Sequence, residues 1–323
     1  MQYRILGSTG VEVSRLCMGT MTFGREADPQ ASAAIYHRCR EAGVNFFDCA
    51  NGYAGGDSER ILGELIAGQR EEVVITSKAY FPVGEDRNAR GLSRYHLLNS
   101  VEASLKRLNT DRIDVFFLHH WDDRTPIEEA LRALDDLVRQ GKILYPAASN
   151  FAAWQYAKAL GISAKEGWSA LKAIQPMYSL VKRQAEVEIL PMARAENLGV
   201  ISYSPLGGGL LTGKYAALET RAGRIVENTM YAARYSQEWA HHAARRFADL
   251  ARDRGFHPAA LAVAWVAAHP AVTAPIIGAR NLEQLEPALG ALDLDMTPEL
   301  YAELCALTPA PPPATDRSEE VAA

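Results

Sequence analysis

The chain has 323 residues, with 34 Lys+Arg against 39 Asp+Glu for a net charge of −5. Hydrophobic residues make up 48% and charged residues 23%, the balance of a folded enzyme; the length suits one large α/β barrel or two modest domains. Mild acidity without a basic stripe interleaved with aromatics argues against a nucleic-acid partner, and no run approaches the roughly 18 apolar residues of a membrane span.

In chain order, the opening reads as a β-hairpin: residues 2–6, a turn at Gly7-Ser8-Thr9-Gly10, then 11–13. It has no apolar core of signal-peptide type. Short apolar runs then alternate with amphipathic segments. Strands are expected at 15–19, 44–48, 73–77, 113–118, 143–149, 172–175, 200–203 and 275–278. Between them lie helical patterns such as SRYHLLNSVEASLKRLN, which sets Leu97, Val101, Leu105 and Leu108 on one face. In TPIEEALRALDDLVRQGK, Thr125 is the expected N-cap, Pro126 the first helical residue and Gly141 the residue past the end. Eight strands with helices between them predict a (β/α)8 barrel, a TIM barrel; the competing doubly wound sheet lacks a GxGxxG after an early strand. Residues 204–257 form a long insertion after the seventh barrel strand, with its own helix near 237–254. The barrel is expected to occupy residues 1–308, followed by a disordered, proline-rich and then polar tail over 309–323.

Chemistry on such a barrel sits at the C-terminal ends of the strands. Those positions hold Asp48 and Tyr53 after strand two, Lys78 after strand three and His119-His120 after strand four. Ser149-Asn150, Gln175 and Tyr203-Ser204 follow strands five to seven. Singly, each has a structural reading: Asp48 as a cap, Lys78 as a solvated strand end, a histidine as a satisfied core residue. Together they describe a proton donor with a tuning shell. A phenol near pKa ~10 is a poor acid at neutral pH, a neighbouring ammonium lowers it, and a buried ammonium needs a carboxylate. Histidine can donate to a carbonyl oxygen, so the set suits protonation of an alkoxide as hydride reaches carbon.

Two motifs are set aside. GGLLTGKY, residues 208–215, follows GxxxxGK[ST] except that Tyr215 replaces the magnesium-binding hydroxyl, which excludes a P-loop triphosphatase. Cys17, Cys39, Cys49 and Cys305 lie far apart with no CxxC pair, and His241-His242 has no partner at ligand spacing, so no metal site is expected. The cysteine pattern suits a reducing cytoplasm.

FFDCANGYAGGDSERILGE, ITSKAY, FFLHHWD, QGKILYPAASNF and the stretch from QPMYSL to LLTGKY resemble the signature segments of the aldo-keto reductases, from the hairpin to about residue 290. The pattern is related to that of the potassium-channel β-subunits. The resemblance implies Tyr53 as general acid, Lys78 and Asp48 as its tuning pair, and His119, the first histidine of its pair, as substrate orienter. It implies NADPH or NADP+ as cofactor. Ser149, Asn150 and Gln175 would hold the carboxamide, and Tyr203 would stack on the nicotinamide. Ser204, Leu206, Gly208 and Lys214 would lie along the pyrophosphate, with Gly278, Arg280 and Gln284 at the 2'-phosphate and adenosine end. Where the family commonly has Glu-Asn one turn further on, this chain has Pro287-Ala288. Met21, Phe23, Tyr80, Trp121 and Tyr231 are the expected pocket wall for a small-molecule carbonyl or alcohol, the aromatics suggesting a bulky or ring-shaped one. The expected activity is NADPH-dependent reduction of an aldehyde or ketone. The alternatives are NADP-dependent oxidation of a sugar or cyclic alcohol, and a low-turnover regulatory subunit.

Overall fold

The structure, a computed structural model, describes residues 1–215, 223–315, 317 and 319. Residues 216–222 of the insertion and 316, 318 and 320–323 of the tail lie outside the described residues, so the expectation for the tail falls partly beyond them.

β1 (Tyr3–Ile5) and β2 (Glu12–Ser14) pair antiparallel as a hairpin. Eight parallel strands follow: β3 (Cys17–Gly19), β4 (Phe46–Asp48), β5 (Val74–Ala79), β6 (Ile113–Leu118), β7 (Ile143–Ser149), β8 (Ala173–Gln175), β9 (Gly199–Ser202) and β10 (Ala274–Ile277). They close in chain order, with β10 pairing back onto β3, so the fold is the (β/α)8 barrel that the alternation predicts. Side chains alternate across each strand. Phe46, Val115, Phe117, Ala147, Ala173, Ile201 and Ala274 fill the interior, while a larger core lies between the strands and the helices.

The hairpin plugs the floor of the barrel. Leu6 and Val13 are fully buried in the interior core, and Arg4 Nη1 donates to the Val272 carbonyl at 2.8 Å. A Cβ on Gly199, at the start of β9, would come within 2.3 Å of Leu6 Cδ1, so glycine is what lets the plug seat. With the floor closed, the opposite end of the barrel is left for function.

Two local expectations are corrected. Helix Arg94–Leu108 begins as expected, with Ser93 Oγ accepting from the His96 amide at 3.2 Å and all four stripe residues buried. Helix Ile127–Arg139, however, starts one residue late, and Pro126 is extended. Thr125 does not cap it: its hydroxyl donates to Asp122 Oδ2 at 2.8 Å, a carboxylate that also accepts from the Leu92 and Arg124 amides. That charged acceptor fixes the hydroxyl, and no side chain caps the helix start. Likewise β5 runs on to Ala79, so Lys78 lies inside a strand, in register with Phe117 of β6, and is fully buried. The insertion helix forms at Glu238–Asp253, burying Ala240, Ala244, Phe247 and Ala251.

Candidate active site

Period-two alternation places Asp48, Thr76 and Lys78 together in the barrel mouth. Asp48 ends β4 in register with Thr76, and Lys78 is two residues further along the same face of β5. Thr76 Oγ1 donates to Asp48 Oδ1 at 2.6 Å, Lys78 Nζ donates to Oδ2 at 2.7 Å, and Gln175 Nε2 reaches across from β8 to Oδ1 at 2.9 Å. The carboxylate is 3% exposed and the lysine 0%, so this is a buried ion pair whose acceptors are well supplied. Lys78 Nζ also donates to the Cys49 carbonyl at 2.6 Å and to the Tyr53 hydroxyl at 3.5 Å. Tyr53 opens a short turn, Tyr53–Gly56, in which Ala54, Gly55 and Gly56 all take positive φ. His119, just past β6, lies edge-on to the Tyr53 ring with centroids 6.2 Å apart.

The electrostatics separate the three titratable groups. Burial raises the Tyr53 phenol more than the Lys78 charge lowers it, and it is pushed up to about 12. The expected lowering by lysine is therefore present but outweighed, and the phenol holds its proton through the neutral range. Burial pulls Lys78 down, but Asp48 and Tyr53 more than offset it, and its pKa rises. His119 is held well below the ordinary histidine value by burial, then by the Lys78 and His120 charges, so its imidazole is neutral at neutral pH. A histidine depressed in the native state takes up its proton more readily unfolded, so stability drops as pH falls below about 6.5. His119→Gln should flatten that acid slope. Urea midpoints at pH 7 and pH 5 check it; an unchanged difference between the two pH values would sink it.

A second connected group lies beside the first. Asn150, with φ of 57°, donates through Nδ2 to the His119 carbonyl at 2.9 Å and to Ser149 Oγ at 3.1 Å, and it accepts from the Tyr203 hydroxyl at 2.7 Å. Ser149 Oγ donates to the Gln175 carbonyl at 2.9 Å. Gln175, expected beside a carboxamide, has its amide N–H committed to Asp48. After β9, Ser204 has φ of 60° and leads through half-buried Leu206 into a short turn, Gly207–Thr212. A Cβ on Gly208 would meet Tyr231 Cδ1 at 2.9 Å, and Tyr231 itself is nearly buried there, stacked on Tyr235. Lys214 is exposed, its Nζ 4.9 Å from the Tyr215 ring centroid. Past β10, Gly278 is exposed, and the Arg280 amide donates to Gln284 Oε1 at 3.2 Å. The Arg280 guanidinium lies 3.8 Å from the Glu227 carboxylate of the insertion.

Residues 15–308 match the sequence model of the Aldo/keto reductase family. The chain belongs to that family. It is 41% identical to an uncharacterized oxidoreductase, YrpG, of Bacillus subtilis (strain 168), over 96% of this chain and 97% of that one. It is 34% identical to a probable voltage-gated potassium channel subunit beta of Oryza sativa subsp. japonica, over 98% and 99% respectively. It is 30% identical to the versiconal hemiacetal acetate reductase of Aspergillus parasiticus, over 93% and 94%.

In this aldo/keto reductase the expected wall residues divide. Tyr80 is half-buried and stacked on His120 at 5.1 Å; Trp121 is half-buried, 5.2 Å from Phe151 and 5.7 Å from Trp154; Met21 is half-buried. Phe23 is corrected: it is fully buried in the core outside the barrel, because the turn after β3 directs its ring there. Phe81, 45% exposed and edge-on to His119 at 4.9 Å, is nearer the chemistry. Thr76 is a partner that sequence reasoning missed, although its place two residues before Lys78 is a readable signal. Among the described residues no group of three His, Cys, Asp or Glu could hold a metal ion, and no helix is long and apolar enough to cross a membrane.

Proposed function

We propose that this oxidoreductase-family chain reduces an aldehyde or ketone to an alcohol with NADPH, Tyr53 acting as general acid. The observation that carries this reading is the Tyr53 hydroxyl 3.5 Å from Lys78 Nζ, itself paired with Asp48 inside the barrel mouth. Neutral His119 beside it has an N–H with which to orient a carbonyl oxygen, and charge developing on that oxygen draws the phenolic proton while Lys78 stabilises the phenolate left behind. Exposed Phe81 and half-buried Tyr80 and Trp121 favour a ring-bearing substrate.

The residues present fit a dinucleotide. The hydroxyl of Tyr203 is fixed by Asn150, so its ring can serve as a flat wall for the nicotinamide, whose carboxamide Ser149 and Asn150 would hold. The glycine turn at Gly208 has no space for a side chain and presents backbone to a pyrophosphate, with Lys214 nearby. Arg280 would take the 2'-phosphate, with Gln284 beside it. NADPH, when bound, supplies the hydride. Arg280→Ala should weaken NADPH about 10- to 100-fold and leave NADH nearly unchanged, measured by fluorescence titration. Equal loss for both would make Arg280 a contact to a shared group. Free thiols at Cys17, Cys39 and Cys49 fit work in a reducing cytoplasm.

The second reading is a low-turnover, cofactor-binding regulatory subunit, favoured by the full-length likeness to the rice channel subunit. The test follows NADPH consumption over a panel of aromatic and aliphatic carbonyls, with NADP+ and cyclic alcohols or sugars in parallel. Reduction supports the proposal. Turnover only with NADP+ reverses the direction, with Tyr53 as base, and tight NADPH binding without turnover moves the regulatory reading ahead.

A further inference from the structure

Glu59 is fully buried, yet it lies in the first turn of helix Asp57–Leu65, where a packing position calls for an apolar residue. A buried carboxylate is costly unless paired, and this one is paired twice. Its Oε1 accepts from Ser77 Oγ at 2.5 Å and its Oε2 from Arg107 Nε at 2.7 Å. Ser77 immediately precedes Lys78 and points to the opposite face of β5, so Glu59 grips the outside of the strand whose inside carries the lysine. Six residues upstream of Glu59 is Tyr53. The stretch between them has little freedom: a Cβ on Gly56 would meet Arg107 Cδ at 2.8 Å, and Ser58 Oγ donates toward the Thr20 carbonyl at 2.7 Å. The links from Lys78 through Ser77, Glu59 and the turn to Tyr53 therefore close a ring, whose last side is the 3.5 Å approach of Lys78 Nζ to the Tyr53 hydroxyl.

We propose that Glu59 is a positioning residue that sets the separation of Tyr53 from Lys78 through its bond to Ser77, with Arg107 holding the carboxylate in place. The role rests on the reading of Tyr53 as proton donor. A staple for the fold alone would lower stability without moving Tyr53 relative to the lysine; a positioning residue moves it.

The test uses the full chain with Glu59→Gln and, should that variant fail to fold, Ser77→Ala, which removes only the hydroxyl link. Two quantities are read. One is the split of kcat against KM for a carbonyl that the wild type reduces with NADPH. The other is the ring 13C signal of Tyr53 at neutral pH in tyrosine-labelled protein, assigned by its loss in Tyr53→Phe. The expected result is a fall in kcat of about 10- to 100-fold with KM unchanged, as for a misplacement of about 1 Å, and a shifted Tyr53 signal. Ser77→Ala should move both in the same direction, by less. An unmoved Tyr53 signal overturns the inference whatever kcat does. If the wild type reduces nothing, the reading of Tyr53 as proton donor fails, while a shifted signal still supports the brace.

Discussion

Tyr53→Phe is expected to lower turnover by about 10²- to 10⁴-fold, the usual worth of a general acid, while cofactor binding stays where it was. The substitution deletes one oxygen and little else. Lys78 keeps its two shorter contacts, to Asp48 at 2.7 Å and to the Cys49 carbonyl at 2.6 Å, so the ion pair and the fold have no reason to move. His119 keeps its edge contact with the ring, which the substitution leaves in place. Single-turnover hydride transfer, with NADPH binding measured separately, distinguishes a chemical from a binding defect. Turnover at the wild-type rate would take Tyr53 out of the mechanism altogether.

The second large effect is on stability and activity together. Lys78→Met leaves the Asp48 carboxylate buried among neutral donors, Thr76 and Gln175, with no cation. Breaking a buried pair in this way costs about 3–5 kcal/mol, or roughly 10 °C in melting temperature for a chain of this size. Neutralising the partner as well should reverse much of that cost, so Asp48→Asn/Lys78→Met is expected to melt well above Lys78→Met while remaining inactive. Thermal melts of the three proteins beside their turnover decide the point. A double variant no more stable than the single would mean that the lysine stem's packing, not its charge, matters. The linkage has a definite sign. Lys78 is raised in the native state, so the stabilisation it supplies is present below its unfolded pKa near ~10.4 and is lost as pH climbs through the native value.

Much of this was legible in the chain, and the limits have physical causes. Eight apolar runs read as barrel strands because parallel strands are buried on both faces. Asp48 and Tyr53 stood out because a carboxylate ending such a run, followed by a glycine-rich turn, has no packing purpose. What the sequence hid depends on three-dimensional neighbours. Thr125 looks like a cap until Asp122 is seen to claim its hydroxyl. Gln175 and Thr76 converge on Asp48 from strands on different sides of the mouth. The sign of the lysine's influence on Tyr53 follows from charge alone, but burial sets its size relative to desolvation, and desolvation wins. Phe23 reads as pocket wall on position and proves to be core.

The hairpin at the barrel floor has a consequence for the order of assembly. Part of its seat comes early, since the Tyr3 hydroxyl donates to the Gly43 carbonyl and Asn45 Nδ2 to the Glu12 carbonyl, but Arg4 docks on Val272 and Leu6 against Gly199, which are made much later than the hairpin. The plug cannot seat fully until most of the chain has emerged, so Leu6 and Val13 wait through synthesis for the late half of their interior core, Ile201 and Ala274 among it. Closing so long a span carries an entropic penalty that local helices never meet. Refolding should therefore show a late phase in which an almost complete barrel gains its base, and chains stalled before β9 should be the ones that chaperones hold longest.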